Sequence, residues 1–131
     1  MSNKHQLVIA LGSNVNQERN IERAKLLLIT TWKDMLFTSA KWTRPIGMSS
    51  DMFYNVLAYT WMTDDLRPLQ DKLKEIEQTC GDSHLKRSLS RIEMDIDILQ
   101  FGEERLHPDD WNRSYIQELM KEIDFDRIDL I

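Results

Sequence analysis

Residues 91–102 read RIEMDIDILQFG, with Glu93, Asp95 and Asp97 at alternate positions and Ile92, Met94, Ile96 and Ile98 beside them. In an extended chain alternate side chains share a face, so the aliphatics are expected on one side and the three acids on the other. Same-face neighbours lie roughly 6.5–7 Å apart at Cα, near enough for each carboxylate to disfavour ionisation of the next unless a cation stands by. A solvated sheet face is the ordinary origin of such alternation. Two neighbouring features point instead to chemistry. The stretch 82–91 holds Lys86, Arg87 and Arg91 against one acid, Asp82, in a chain of net charge −5. Carboxylates that hold Mg²⁺, next to cations that neutralise phosphate, suit a polyphosphate ligand. Phe53, Tyr54 and Asn55 also open an apolar run directly after a Pro/Gly loop. A flat aromatic ligand can stack there while an amide reads its polar edge.

Other candidates carry less. Gly12-Ser13-Asn14 lacks the Gly-Lys-Ser/Thr of a phosphate loop. Cys80 falls on the apolar stripe of an expected helix, where a buried thiol is the ordinary outcome. His5, His84 and His107 do not form a zinc motif.

The elements that must position these residues follow from periodicity. LVIAL at 7–11 is a continuous branched run closed by Gly12, a central strand buried on both faces. Ile21, Ala24, Leu27 and Leu28 give a first helix over 17–29, capped by Asn14 or Asn16. LFTSAKWT at 36–43 and FYNVLAYTWMT at 53–63 read as strands flanking a loop with Pro45 and Gly47. Leu66, Leu69, Leu73, Ile76 and Cys80 mark a second helix, with Pro68 in its first turn and Gly81 ending it. A polar loop over 82–90 precedes the acidic strand. A last helix over 109–122 carries Trp111, Tyr115 and Leu119 on one face. The order predicts an α+β, ferredoxin-like βαββαβ fold: a four-stranded, mostly antiparallel sheet with helices on one face, plus a C-terminal helix.

At 131 residues, 1–131 is expected to be a single domain able to bury a core without disulfides. One cysteine, no signal-peptide core and no membrane-length apolar run suggest a cytoplasmic chain. The acidic balance argues against nucleic-acid binding.

ALGSN at 10–14, TRPIG followed by FYN over 43–55, IEQTCG at 76–81 and DIDIL at 95–99 together resemble the 6-hydroxymethyl-7,8-dihydropterin pyrophosphokinases of folate biosynthesis. The resemblance runs in order across about 110 residues. It implies transfer of the terminal pyrophosphate of ATP to the hydroxymethyl group of a reduced pterin, with two Mg²⁺ ions held by Asp95 and Asp97. It implies a pterin set of Thr43, Pro45, Phe53, Asn55 and Tyr115, the ring lying between Phe53 and Tyr115. The nucleotide set is Glu77, Ile98, Arg105 and Arg113. The implied partners are ATP and the pterin, bound by a monomer that engages neither nucleic acid nor membrane.

The chain departs from the family where the family is rich in arginine. Asp82, His84 and Ile92 stand at arginine positions, and Leu89 at a tryptophan. Arg87 and Arg91 each lie one residue from a family arginine and are the expected catalytic substitutes, although on a strand a shift of one reverses the face. Asp109 stands where the family carries a histidine, beside His107, and the sequence stops at Ile131 before the family's usual C-terminal extension. Three readings result: a slow or altered pyrophosphokinase, a non-catalytic paralogue that binds nucleotide or pterin or serves as an interaction module, or an unrelated ferredoxin-like domain with an acidic sheet face.

Overall fold

The branched run at 7–11 is the middle of the molecule's central strand, with Leu7, Val8, Ile9 and Leu11 almost wholly removed from water. In the computed structural model, which describes residues 4–47 and 50–128, this strand is β1 (His5–Ser13). It is followed by α1 (Gln17–Thr31), β2 (Leu36–Thr43), β3 (Phe53–Met62), α2 (Leu66–Thr79) and α3 (His84–Ser88). Then come β4 (Asp95–Phe101), β5 (Glu104–Arg105), α4 (Pro108–Trp111), α5 (Ser114–Met120) and a 3₁₀ turn at Phe125–Arg127.

The sheet order is β2-β3-β1-β4-β5 and every pairing is antiparallel. The inner four strands keep the expected ferredoxin-like order, but the sheet has five strands rather than four. Gly102, at φ 65°, lets the chain reverse at the end of β4 and pair Phe101 with Glu104.

Alternation along the strands divides the core in two. Leu7, Ile9, Leu11, Ile96 and Ile98 face Ile21, Ala24 and Leu28 of α1 and Leu69, Leu73 and Ile76 of α2. On the opposite face Val8, Leu57, Tyr59 and Leu99 pack under Ile116 and Leu119 of α5 and under Ile128. Helices therefore cover both faces, and the expected single helix over 109–122 is two. The Trp111 indole N–H donates to the carbonyls of Leu99 (3.1 Å) and Leu106 (3.0 Å), which pins α4 at the sheet edge. Arg113 then adopts an extended conformation, φ −74° and ψ 136°, so that α5 can turn and lay its apolar residues on the sheet.

Two further expectations change before β4. Residues 84–88 form a short helix inside the expected loop, its start capped by the Ser83 hydroxyl accepting from Lys86 N–H. The strand begins at Asp95, so Glu93 does not share a face with the two aspartates. Its carboxylate is buried, accepting from Asn20 Nδ2 at 2.8 Å with Lys86 Nζ at 3.4 Å.

Neither asparagine caps α1 through its side chain. Asn16 occupies the cap with a left-handed backbone and no side-chain bond. Asn14 instead clips the lead-in to β4 onto β1: Nδ2 donates to Ser90 O at 2.9 Å and Oδ1 accepts from Ile92 N–H at 2.7 Å. Asn14→Ala would leave the buried Ile92 N–H without its acceptor, at a cost of about 2 kcal/mol. The expected result is a lower urea midpoint with an unchanged m-value; an unchanged midpoint would show the clip to be dispensable.

Candidate active site

Asp95 and Asp97 sit on β4 opposite Gly12 and Ala10 of β1, on the sheet face that α5 covers only in part. Small residues at these two β1 positions leave a floor between the acids and β3. A Cβ on Gly12 would lie 3.3 Å from Asn55 Oδ1 and 3.6 Å from Phe53 Cδ1. Above this floor is a cavity of about 230 Å³ lined by Thr43, Phe53, Asn55, Asp95, Asp97 and Tyr115, with Arg113 and Asp110 at its α4–α5 wall.

Strand register explains the grouping. Phe53 pairs with Thr43 across β2–β3, and Asn55 pairs with both Lys41 and Gly12, so alternate side chains from three strands meet at one end of the sheet. The Asn55 amide is fixed, donating through Nδ2 to Lys41 O (3.0 Å) and Thr43 Oγ1 (2.9 Å). Arg113 Nε donates to Asp110 Oδ1 at 3.0 Å.

A second cleft, about 240 Å³, lies at the outer edge of β4 and is lined by Gln70, Lys74, Glu77, Ile98 and His107. Asp97 lines both cavities. Since β5 pairs only with residues 100–101, the start of this edge is open. Glu77 satisfies it, Oε2 accepting from Ile96 N–H at 2.7 Å.

Excess negative charge marks the junction. Burial, then the charge and hydrogen bond of Asp95, then Asp110 and Glu77, push the Asp97 carboxyl up to about 8. Burial raises Glu77 to about 7 despite the Ile96 N–H bond; Asp95 adds to the rise and Arg87 opposes it. Arg87 reaches in from α3. Nη1 and Nη2 each donate to Asp95 Oδ1 at 3.2 Å, Nη2 also donates to Met94 O at 3.2 Å, and Nε binds Asp82. Burial works against its charge, but the Asp82 bond and the charges of Asp95, Asp82 and Glu77 outweigh it and raise its pKa. Burial likewise lifts the Tyr115 hydroxyl, with Asp110 adding to the rise. It also raises the Cys80 thiol, which is core.

The donor set suits Mg²⁺. That ion takes hard oxygen ligands, commonly one or two carboxylates plus substrate phosphates, and retains several waters. Two neighbouring carboxylates, one of them pushed up by burial and by the charge of the other, match such a demand. Among the described residues no larger cluster of His, Cys, Asp and Glu forms a closed metal cage.

Most residues singled out from the sequence converge here. Thr43, Phe53, Asn55, Tyr115, Arg113 and both aspartates share the first cavity, Glu77 and Ile98 share the second, and Arg87 lines neither but reaches Asp95. Three do not. Arg91 lines a separate cleft with Asn14, Ser50 and Asp51, because Ser90 at φ 58° turns the chain before β4 begins. Arg105, on β5, stacks its guanidinium 4.2 Å from the Trp111 ring. Pro45 lines neither cavity. Gln70 and Lys74 went unread in the sequence, and His107 was read only as part of no zinc motif and as a neighbour of Asp109. Gln70 and Lys74 lie seven and three residues before Glu77 on one helix, so helical periodicity could have found them. His107, whose Nε2 is 4.0 Å from Asp97 Oδ1, depends on a left-handed backbone at φ 52° that no local rule announces. Among the described residues no helix is long and apolar enough to cross a membrane.

No curated protein matches the chain. A family model does: that of 7,8-dihydro-6-hydroxymethylpterin-pyrophosphokinase (HPPK) matches residues 8–125. The match begins inside β1 and ends at the 3₁₀ turn, so it takes in both cavities and the strand that joins them. The chain therefore belongs to the 7,8-dihydro-6-hydroxymethylpterin-pyrophosphokinase family.

Proposed function

We propose that this chain, acting as one domain, transfers pyrophosphate from ATP to the hydroxymethyl group of 6-hydroxymethyl-7,8-dihydropterin, with Mg²⁺ bound at Asp95 and Asp97. The observation that carries this reading is the meeting of two cavities at Asp97: one with aromatic walls and a fixed amide, the other opening beside Glu77, Lys74 and His107.

In this reading the pterin ring enters the first cavity between Phe53 and Tyr115. Asn55 has committed its N–H groups to Lys41 and Thr43, so its Oδ1 is left to accept from the ring's donor edge. The nucleotide takes the second cleft, and its phosphates run toward the junction. Mg²⁺, when bound, supplies the charge neutralisation that phosphoryl transfer requires. The pterin hydroxyl oxygen forms its new bond to the β-phosphorus as the bond from that phosphorus to the bridging α-phosphate oxygen breaks, releasing AMP, and the hydroxyl proton passes to solvent. Arg113 and Arg44 line the first cavity, Lys74 lines the second, and Arg87 reaches Asp95; of these, Arg87 and Arg113 are already paired with a carboxylate. Fewer free guanidinium groups mean weaker stabilisation of the transferring group, so turnover is slow, about three orders of magnitude below that of an arginine-rich site.

The same pairing favours a second reading, a pocket that binds without chemistry. AMP formation from ATP, Mg²⁺ and the pterin, with Asp95→Ala/Asp97→Ala as the blank, separates them. AMP above the blank is expected. Binding of Mg·ATP or of pterin by calorimetry without AMP would leave the binding module, and binding of neither would overturn both readings.

A further inference from the structure

Arg87 commits all three of its guanidinium nitrogens to four residues from three segments. Nε holds Asp82 in the turn after α2, Nη1 and Nη2 hold Asp95 on β4, Nη2 holds the Met94 carbonyl, and Nη2 stands 3.6 Å from Glu77 on α2. This network is more than a clasp for the 82–91 segment, because that segment is already tied elsewhere. Lys86 donates from Nζ to Gly81 O at 3.0 Å and pairs with the buried Glu93, and Asn14 holds residues 90 and 92. What Arg87 adds is a positive charge on Oδ1 of Asp95, a residue that lines the first cavity.

A divalent cation on Asp95 meets that charge across the carboxylate, because the guanidinium holds only Oδ1 at 3.2 Å and leaves Oδ2 to the metal. Two cations on one carboxylate repel, so each weakens the other's hold. A metal therefore favours departure of Arg87 from Asp95. A phosphate provides the destination, since a guanidinium pairs with phosphate oxygens as readily as with a carboxylate. Asp82 keeps Nε anchored during the exchange, so the fork moves only a short way. Asp97 is not among the partners of Arg87, which leaves the metal one carboxylate with no guanidinium on it.

We propose that Arg87 is a resident counter-cation that weakens metal binding at Asp95 until a phosphate chain draws it off, and that Asp82 is the residue that positions it. The proposal rests on the metal reading of Asp95 and Asp97 given above. Metal and polyphosphate then bind as a coupled pair, each weak alone and each strengthening the other by the same factor. Replacement of a family arginine by Asp82 thereby acquires a use: the acid holds a different arginine over the site.

Calorimetric titration of the full chain with Mg²⁺ alone, with inorganic triphosphate alone and with both together tests this without reference to turnover. Arg87→Met is expected to bind Mg²⁺ alone about tenfold more tightly than the unaltered chain, and to lose most of the mutual strengthening between Mg²⁺ and triphosphate. Asp82→Asn, which keeps the arginine but releases its anchor, is expected to tighten Mg²⁺ about threefold, an effect that loss of a merely structural ion pair would not produce. Arg87→Lys serves if Arg87→Met does not melt cooperatively, and it is expected to bind Mg²⁺ more tightly than the unaltered chain. Equal or weaker Mg²⁺ binding by these variants, with that binding still abolished by Asp97→Ala, would overturn the proposal and leave the metal site standing. No Mg²⁺ binding by any form, triphosphate present or not, would overturn both.

Discussion

Asp97→Ala should abolish Mg²⁺-dependent ATP binding, reduce AMP formation by about 10³-fold or more, and make the ligand-free chain harder to unfold at pH 8.5. The first two effects follow from its position at the junction of the two cavities, both of which it lines. The third has the opposite sign from most active-site truncations and comes from linkage. The folded chain raises this carboxyl from 3.8 to about 8, through burial first and then the neighbouring acids. A raised acid binds its proton more tightly when folded, so its contribution to stability is complete below about pH 4 and is lost as pH rises towards about 8. Above that range the ionised Asp97 opposes folding, and alanine removes the opposition. Melting at pH 8.5 in a chelator is the direct check, with Mg²⁺ added afterwards. The unaltered chain should then gain stability while Asp97→Ala does not. A lower melting temperature for Asp97→Ala in the chelator would mean that the carboxylate is compensated by a partner other than a metal.

Asn55→Asp is expected to weaken pterin binding 10- to 100-fold and to destabilise the chain by about 2 kcal/mol, although it alters a single atom. Nδ2 is the donor to Lys41 O at 3.0 Å and to Thr43 Oγ1 at 2.9 Å. Replaced by oxygen, it would confront a carbonyl in a position only 6% exposed, and either Lys41 O loses its donor or a carboxyl must hold a proton there. The amide orientation assigned by this network also determines what the cavity presents: Oδ1 toward Gly12 and the space above it. Asn55→Ala removes that acceptor without adding charge, so it should cost similar affinity with less loss of stability. Equal pterin affinity in all three forms, by fluorescence titration, would place the ring elsewhere.

Much of this arrangement is written in local pattern. The continuous LVIAL run marks a strand buried on both faces, the three-four spacing of Leu69, Leu73 and Ile76 marks α2, and the alternation through Asp95 and Asp97 correctly puts both acids on one face. Patterns fail where tertiary partners decide. Glu93 continues the acidic alternation in sequence, yet Asn20 and Lys86 supply a buried site that removes it from the strand face. Asn14 resembles a helix cap, but the approach of residues 90–92 offers its side chain better partners. The break between α4 and α5 depends on Trp111 reaching two carbonyls, which lie five and twelve residues away. Arg87 lies eight residues from Asp95 in sequence, and only the short helix that carries it determines that it, rather than Arg91, reaches the carboxylate. Charge count located the basic segment; backbone geometry selected the arginine.

The two-residue period of β4 also bears on how the chain finds its fold. Sliding β4 by one residue along β1 would drive both aspartates into the apolar space now filled by Ile96 and Ile98 beneath α1 and α2, and would expose those isoleucines. A slip by two would preserve the faces but would pull Ile92 away from the Asn14 side chain. Acids and clip thus reject different misalignments, the first by parity and the second by position. The expected consequence is a chain that refolds to one alignment, and Asp95→Leu/Asp97→Leu, unlike the alanine pair, should refold through a slow phase in which β4 is misaligned.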